Sequence, residues 1–200
     1  MPERHASQQL PSCDESDSIR SQAGTLGKKL EDGNPLTATD DAVIASRAWR
    51  LRHFPSEGHL DVAPRKHLAV VACMDSRIDV FGLLGLEVGE AHVLRNAGGV
   101  VTDDMIRSLA ISQRRLGTRE ILLVHHTDCG LMRLSEDGFK AELEAQTGMR
   151  PPWAVESFTD PAASVRQSMQ RIRVSPFIPH RGEVRGFVYD VDTGELREAH

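Results

Sequence analysis

The sequence predicts an α/β domain with a mostly parallel central sheet flanked by helices. Two observations carry that prediction. Residues 67–73 (His-Leu-Ala-Val-Val-Ala-Cys) and 120–125 (Glu-Ile-Leu-Leu-Val-His) are near-continuous apolar runs of strand length, the pattern of strands covered on both faces. Helical patterns alternate with strand patterns along the chain, and that alternation implies parallel pairing through crossover helices.

The elements follow in order. Residues 1–38 contain no Val, Phe, Trp or Tyr and are rich in Ser, Gln, Gly, Asp and Glu, so they read as a flexible N-terminal tail, and Cys13 within them as an incidental thiol. The domain is expected over residues 39–200. Its first helix starts near Thr39 or Asp40, with Val43, Ile44, Arg47, Ala48 and Leu51 at helical spacing and two aspartates at the positive end of the dipole. A Gly-, Pro- and charge-rich loop over 53–66 leads to the strand at 67–73. A short helix over 78–86 and a strand over 91–95 come next, the latter running into Asn96-Ala97-Gly98-Gly99.

Residues 102–116 read as a helix capped by Thr102, with Asp103 and Asp104 in its first turn, Gly117 at its end and Met105, Ile106, Leu109 and Ala110 on its apolar face. The strand at 120–125 precedes a helical stretch over 135–145. Asp160-Pro161 caps and opens another helix, with Val165, Met169 and Ile172 on one side. Residues 184–191 close the sheet and an Asp-Thr-Gly turn follows.

Composition excludes several function classes. A length of 200 residues fits one compact domain. The formal net charge is −5 and aromatic residues make up 4% of the chain, so neither the basic surface nor the stacking platform of a nucleic-acid binder is present. Three cysteines do not form a disulfide framework and fit a reducing compartment. No apolar run approaches the ~20 residues of a membrane span, and no apolar leader is seen, so a cytoplasmic protein is expected.

The chemistry concentrates where two strands end. The first runs into Cys73-Met74-Asp75-Ser76-Arg77 and the third into His125-His126-Thr127-Asp128-Cys129-Gly130. Parallel strands put their carboxyl ends on one sheet edge, where open α/β proteins build their sites. Thiolate and imidazole are the preferred ligands of zinc. The His126-x-x-Cys129 spacing lets one tight turn aim both side chains at an ion, and Cys73 supplies a third ligand from the neighbouring strand. Three protein ligands leave a fourth tetrahedral position open, the mark of a catalytic site.

Asp75 stands two residues past Cys73, where it could accept a hydrogen bond or proton from water on the metal or fill the fourth position itself. Arg77 could hold Asp75 by a bidentate pair. His125 is one position off the ligand spacing and points elsewhere along the strand. Asp128 reads as an exposed turn residue, Arg95 and Asn96 as turn anchors, and Gly98 and Gly99 as positions of positive φ or close backbone approach. His53, His59, His67 and His92 read as surface histidines.

Cys73-x-Asp75-Ser76-Arg77, Arg95-Asn96-Ala97-Gly98 and His126-x-x-Cys129-Gly130, in this order, resemble the signature of β-class carbonic anhydrases. The likeness is dense from Arg65 to Leu131 and looser from Asp40 to about Val191. The resemblance implies a β-carbonic anhydrase-like fold with one zinc ion per chain on Cys73, His126 and Cys129. It implies Asp75 and Arg77 as the catalytic pair and zinc-bound hydroxide attacking carbon dioxide to give bicarbonate and a proton. It further implies a homodimer or dimer-based oligomer, with no nucleic-acid or membrane partner. The family's aromatic and Gln cleft residues have no evident counterparts, and His125 stands where many members have Gly. Hydrolysis of carbonyl sulfide or carbon disulfide on the same scaffold is the alternative chemistry, and a non-catalytic zinc protein the alternative class.

Overall fold

The computed structural model describes residues 37–53 and 60–200. The tail reading falls outside them except for Thr37 and Ala38, as do Cys13, His59 and the side chains of Leu51 and His53. The chain divides into two units at Leu60 and Asp61.

The first unit contributes helix α1 (Ala38–His53). It starts slightly earlier than the sequence predicts because Thr37 and Asp40 form a reciprocal cap. Thr37 Oγ1 accepts from the Asp40 amide at 3.2 Å, and the Asp40 carboxylate accepts from the Thr37 amide at 2.9 Å. Ile44 and Ala48 are half-buried, whereas Val43 is exposed.

The second unit holds β1 (Leu68–Cys73), α2 (Val80–Leu84), β2 (Ala91–Asn96), α3 (Asp103–Leu116), β3 (Glu120–His126), α4 (Glu136–Thr147), α5 (Pro161–Val174), β4 (Val184–Tyr189) and β5 (Leu196–Glu198). Short 3₁₀ turns at Ala97–Gly99 and Gly130–Arg133 follow β2 and the loop after β3. The strand order is β2-β1-β3-β4-β5. The first three pairings are parallel and β4 pairs with β5 antiparallel, so the mostly parallel sheet flanked by helices is present.

Local chemistry sets the element ends. Thr102 caps α3 by accepting from the Met105 amide, and Gly117 ends it in the left-handed conformation. Ser135 and Asp160 cap α4 and α5 in the same way. Asp79 and Gly85 confine α2 to Val80–Leu84, shorter than the sequence pattern implies. The one strand that the sequence reading omits is β5. The Asp190 carboxylate accepts from the Asp192 and Thr193 amides, and this turn folds the three residues Leu196–Glu198 back along β4.

Each sheet face carries a core. Val71, Leu123, Met105, Leu109, Val165 and Ile172 fill one side beneath α3 and α5. Val70, Ala72, Val124, Ile78, Val80 and Leu131 fill the other, together with Cys73 and Cys129. The two thiols therefore sit at the rim of a dry core. No helix among the described residues is long and apolar enough to cross a membrane.

Candidate metal centre and active site

Cys73 ends β1, His126 ends β3, and Cys129 lies three residues further on. Their ligand atoms all fall within 4.8 Å of one another, and all three residues are buried. The two Sγ atoms are 4.0 Å apart. Tetrahedral zinc with Zn–S bonds of about 2.3 Å requires an S···S distance near ~3.8 Å, so the pair fits that ion.

The imidazole of His126 is prepared for a metal. Its Nδ1 donates to the Thr127 carbonyl at 2.8 Å, which places the lone pair on Nε2. That Nε2 is buried and has no hydrogen-bond partner. A buried bare nitrogen is costly unless something coordinates it, and two cysteine sulfurs stand beside it. Donor set, spacing and tautomer all suit zinc.

The sulfurs are tuned toward the same end. The thiol of Cys129 hydrogen-bonds the sulfur of Cys73 and pulls the Cys73 pKa down to about 4 against the effect of burial, helped by His126 and the Asp75 and Gly98 amides. The Cys129 thiol is pushed up by its role as donor in that pair and by burial. A single thiolate is thus already favoured before an ion adds its charge. Burial disfavours the charged form of His126, but the nearby Cys73 sulfur and the charge of Asp75 outweigh it and raise its pKa.

Asp75 projects toward this cluster, with Oδ2 3.8 Å from His126 Nε2. Arg77 grips it from two nitrogens: Nε donates to Oδ1 at 2.9 Å and Nη2 to Oδ2 at 2.8 Å. The guanidinium holds the Asp75 carboxyl well below the usual carboxylate range, so it is ionised and accepts only. Arg95 supports the same loop from β2, donating from Nε to the Cys73 carbonyl at 2.8 Å and from Nη2 to the Asp75 carbonyl at 2.6 Å.

The turn after β3 is tied to its neighbour as well. Thr127 donates its amide to the Tyr189 carbonyl, and its hydroxyl accepts from the Val191 amide at 3.1 Å. Gly98 and Gly99 have φ of 78° and 69°. A Cβ on Gly99 would lie 2.8 Å from the Cys73 nitrogen and 3.2 Å from the Val124 carbonyl oxygen. Positive φ holds for both glycines and close backbone approach for Gly99, while a Cβ on Gly98 would meet the side chains of Leu131 and Phe158.

Several residues depart from the sequence expectation. His125, which ends the apolar run of β3, is fully buried. Its Nε2 donates to the Gly99 carbonyl at 3.0 Å and its ring lies 5.7 Å from that of Phe158. Burial pushes its pKa down to about 4, so it is neutral. His92 is half-buried, with Nδ1 2.7 Å from Ser112 Oγ. Asp128 is exposed in a turn, as expected, but it also pairs with Arg77.

Asp75 and Arg77 line an opening of about 620 Å³ with Met74, Ser76, Asp128 and Arg133; a separate groove of about 770 Å³, walled by Ala97, Val100, Leu131, Phe139 and Trp153, shares Met74 with it but none of the candidate site residues.

This architecture defines a class: an α/β protein with one histidine and two cysteines at the carboxyl edge of a parallel sheet, and an Asp–Arg pair beside them. Residues 68–155 match the family model described as "Carbonic anhydrase". Beta-carbonic anhydrase 1 of Mycobacterium tuberculosis is 54% identical over 163 residues, covering 82% of this chain and 98% of that protein. A carbon disulfide hydrolase of Acidithiobacillus thiooxidans is 33% identical over 175 residues, covering 77% of this chain and 85% of that protein. The solved carbonic anhydrase of Streptococcus mutans superposes with a TM-score of 0.77 at 41% identity, covering 84% of this chain and all of that one. The chain belongs to the β-carbonic anhydrase family.

Proposed function

We infer that the protein is a zinc-dependent carbonic anhydrase that converts carbon dioxide and water reversibly to bicarbonate and a proton. The observation that carries this reading is the buried, unpartnered Nε2 of His126 grouped with two cysteine sulfurs beside an ionised Asp75. Cys73, His126 and Cys129 hold one zinc ion. When bound, zinc acts as a Lewis acid that lowers the pKa of a water molecule to about 7 and so makes hydroxide available near neutral pH.

The chain's own residues do the rest. Asp75 accepts a hydrogen bond or proton from the attacking oxygen. Arg77 fixes the carboxylate by donating two charge-assisted bonds, which makes Asp75 a poor proton trap but a well-aimed acceptor.

The same reading takes the chain as a homodimer or dimer-based oligomer in the cytoplasm. In support, β2 lies at one edge of the sheet, and the groove beside it carries Met74 and Trp153, 65% and 52% exposed. Cys73 and Cys129 are free thiols, which suits a reducing compartment. Of the tail expected over residues 1–38, Thr37 and Ala38 belong to the start of α1, and residues 1–36 are taken as dispensable for the fold.

Stopped-flow carbon dioxide hydration by protein carrying one zinc per chain tests the reading. Turnover far above the buffer rate is expected. A background rate at full metal content overturns it, and hydrogen sulfide release from carbon disulfide without carbon dioxide hydration reassigns the substrate.

A further inference from the structure

We propose that Asp128 is a positioning residue for the reaction, setting the place of the Asp75 carboxylate by clamping Arg77. The proposal rests on the roles given above to Asp75 and Arg77. Arg77 presents two edges. The Nε–Nη2 edge takes Asp75. The adjacent edge takes Asp128 twice: Nη1 donates to Oδ2 at 3.0 Å and Nη2 donates to the main-chain carbonyl at 3.0 Å. All three guanidinium nitrogens are thereby occupied. A flexible side chain that is 43% exposed is held in one orientation.

Asp128 can make both contacts because of its backbone. Its φ is 52°, in the left-handed region that Asp and Asn tolerate better than other side chains. The residue immediately precedes Cys129, and its partner Arg77 lies 51 positions earlier in the chain. The clamp therefore joins the loop after β1, which carries Asp75, to the turn after β3, which carries the last metal ligand. The second carboxylate oxygen of Asp128 engages Arg133, so Asp128 is itself fixed from the solvent side.

An isolated exposed ion pair contributes little to stability. The consequence here is geometric. Without the Asp128 carboxylate, Arg77 keeps Asp75 and one main-chain carbonyl, loses the anchor on Nη1, and holds the 3.8 Å spacing between Asp75 and His126 Nε2 less firmly.

The test uses the full-length zinc enzyme and three variants. Asp128→Gly keeps the left-handed turn and removes the carboxylate, Asp128→Asn keeps the turn and an acceptor oxygen, and Arg77→Gln removes the clamped group. Zinc content, kcat, KM and the ¹⁵N–¹H resonance of the Arg77 Nε–H are read for each. Asp128→Gly is expected to retain one zinc per chain and to lose about tenfold in kcat with little change in KM. Its Arg77 Nε–H is expected to lose exchange protection, and Asp128→Asn to recover much of the rate. Asp128→Gly at wild-type kcat, while Arg77→Gln is slow, overturns the proposal alone. Loss of zinc in Asp128→Gly also overturns it, because Asp128 would then be shaping the ligand turn. Arg77→Gln at wild-type kcat overturns the assigned role of the Asp75–Arg77 pair, and the proposal with it.

Discussion

Gly99 sits where the fold and the metal centre share atoms, and Gly99→Ala tests whether that sharing is tight. A Cβ at this position would lie 2.8 Å from the Cys73 nitrogen, 3.0 Å from the Ala72 carbonyl carbon and 3.2 Å from the Val124 carbonyl oxygen. All of these are backbone atoms of central strands, with no rotamer to turn aside. Two costs combine. A left-handed conformation for a residue with a Cβ costs roughly 1–2 kcal/mol, reduced by about 0.4–1 kcal/mol because alanine restricts the unfolded chain. Overpacking against a fixed wall adds about 1–3 kcal/mol. Gly85→Ala separates the two: its φ is 59°, but no atom lies within 4 Å of its Cβ position. Gly85→Ala should therefore cost about 1 kcal/mol, and Gly99→Ala about 2–4 kcal/mol. For a chain of this size that larger cost lowers Tm by roughly 4–16 °C. Because Cys73 must shift, zinc affinity should also fall about tenfold in Gly99→Ala and stay unchanged in Gly85→Ala. Urea unfolding at one fixed free-zinc concentration, with a chelator-buffered zinc titration, measures both. Equal destabilisation by the two variants, or full zinc affinity in Gly99→Ala, would refute the argument.

Three further outcomes follow from the same geometry. Cys73→Ser and Cys129→Ser should each lose stoichiometric zinc, and full metal content by atomic absorption would remove that residue from the ligand set. Leu109, fully buried beneath the sheet, should cost about 2–5 kcal/mol when truncated to Ala while leaving zinc content intact, read by urea unfolding and metal analysis. Burial lowers the folded pKa of His125 from 6.5 to about 4, so the unfolded chain binds the extra proton within that window. The His125 contribution is therefore fully present above about pH 6.5 and is lost as pH falls toward 4, up to about 3 kcal/mol. Unfolding free energies from pH 7.5 to 4.5 should fall less steeply in His125→Gln than in the wild type, and parallel curves would count against this account.

Local signals carried most of the fold. Thr102 and Gly117 bound α3 as expected because a cap and a left-handed glycine act within one turn of chain. The buried strands β1 and β3 were readable because full burial on both faces leaves an unbroken apolar run. The charged strand β5 was not, since three residues are too few to show a period and only the turn at Asp190 aligns them. At the site, the candidate ligands Cys73, His126 and Cys129 and the Asp75–Arg77 pair stand in short motifs with recognisable chemistry. The Asp128–Arg77 clamp leaves no such trace. It depends on one backbone angle and on a partner far away in sequence, and an aspartate before a cysteine gives no hint of either.

Strand parity explains why one of two adjacent histidines faces the metal position. Side chains alternate faces along a strand, so His125 and His126 point to opposite sides of the sheet. His126 shares its side with Val124, whose cluster contains Ala72, Cys73 and Cys129. His125 donates instead to the Gly99 carbonyl and stacks near Phe158. A one-residue slip of β3 would exchange the two rings and turn the whole strand inside out. Such a slip is resisted along the length of β3, because Ile121, Leu123 and Val124 are buried on both faces between β1 and β4. The placement of the candidate ligand group is thus not made locally by the His-x-x-Cys turn. It comes from the register of a strand whose core residues have no contact with the metal, which is why a neutral buried histidine can stand beside the ligand without competing for its place.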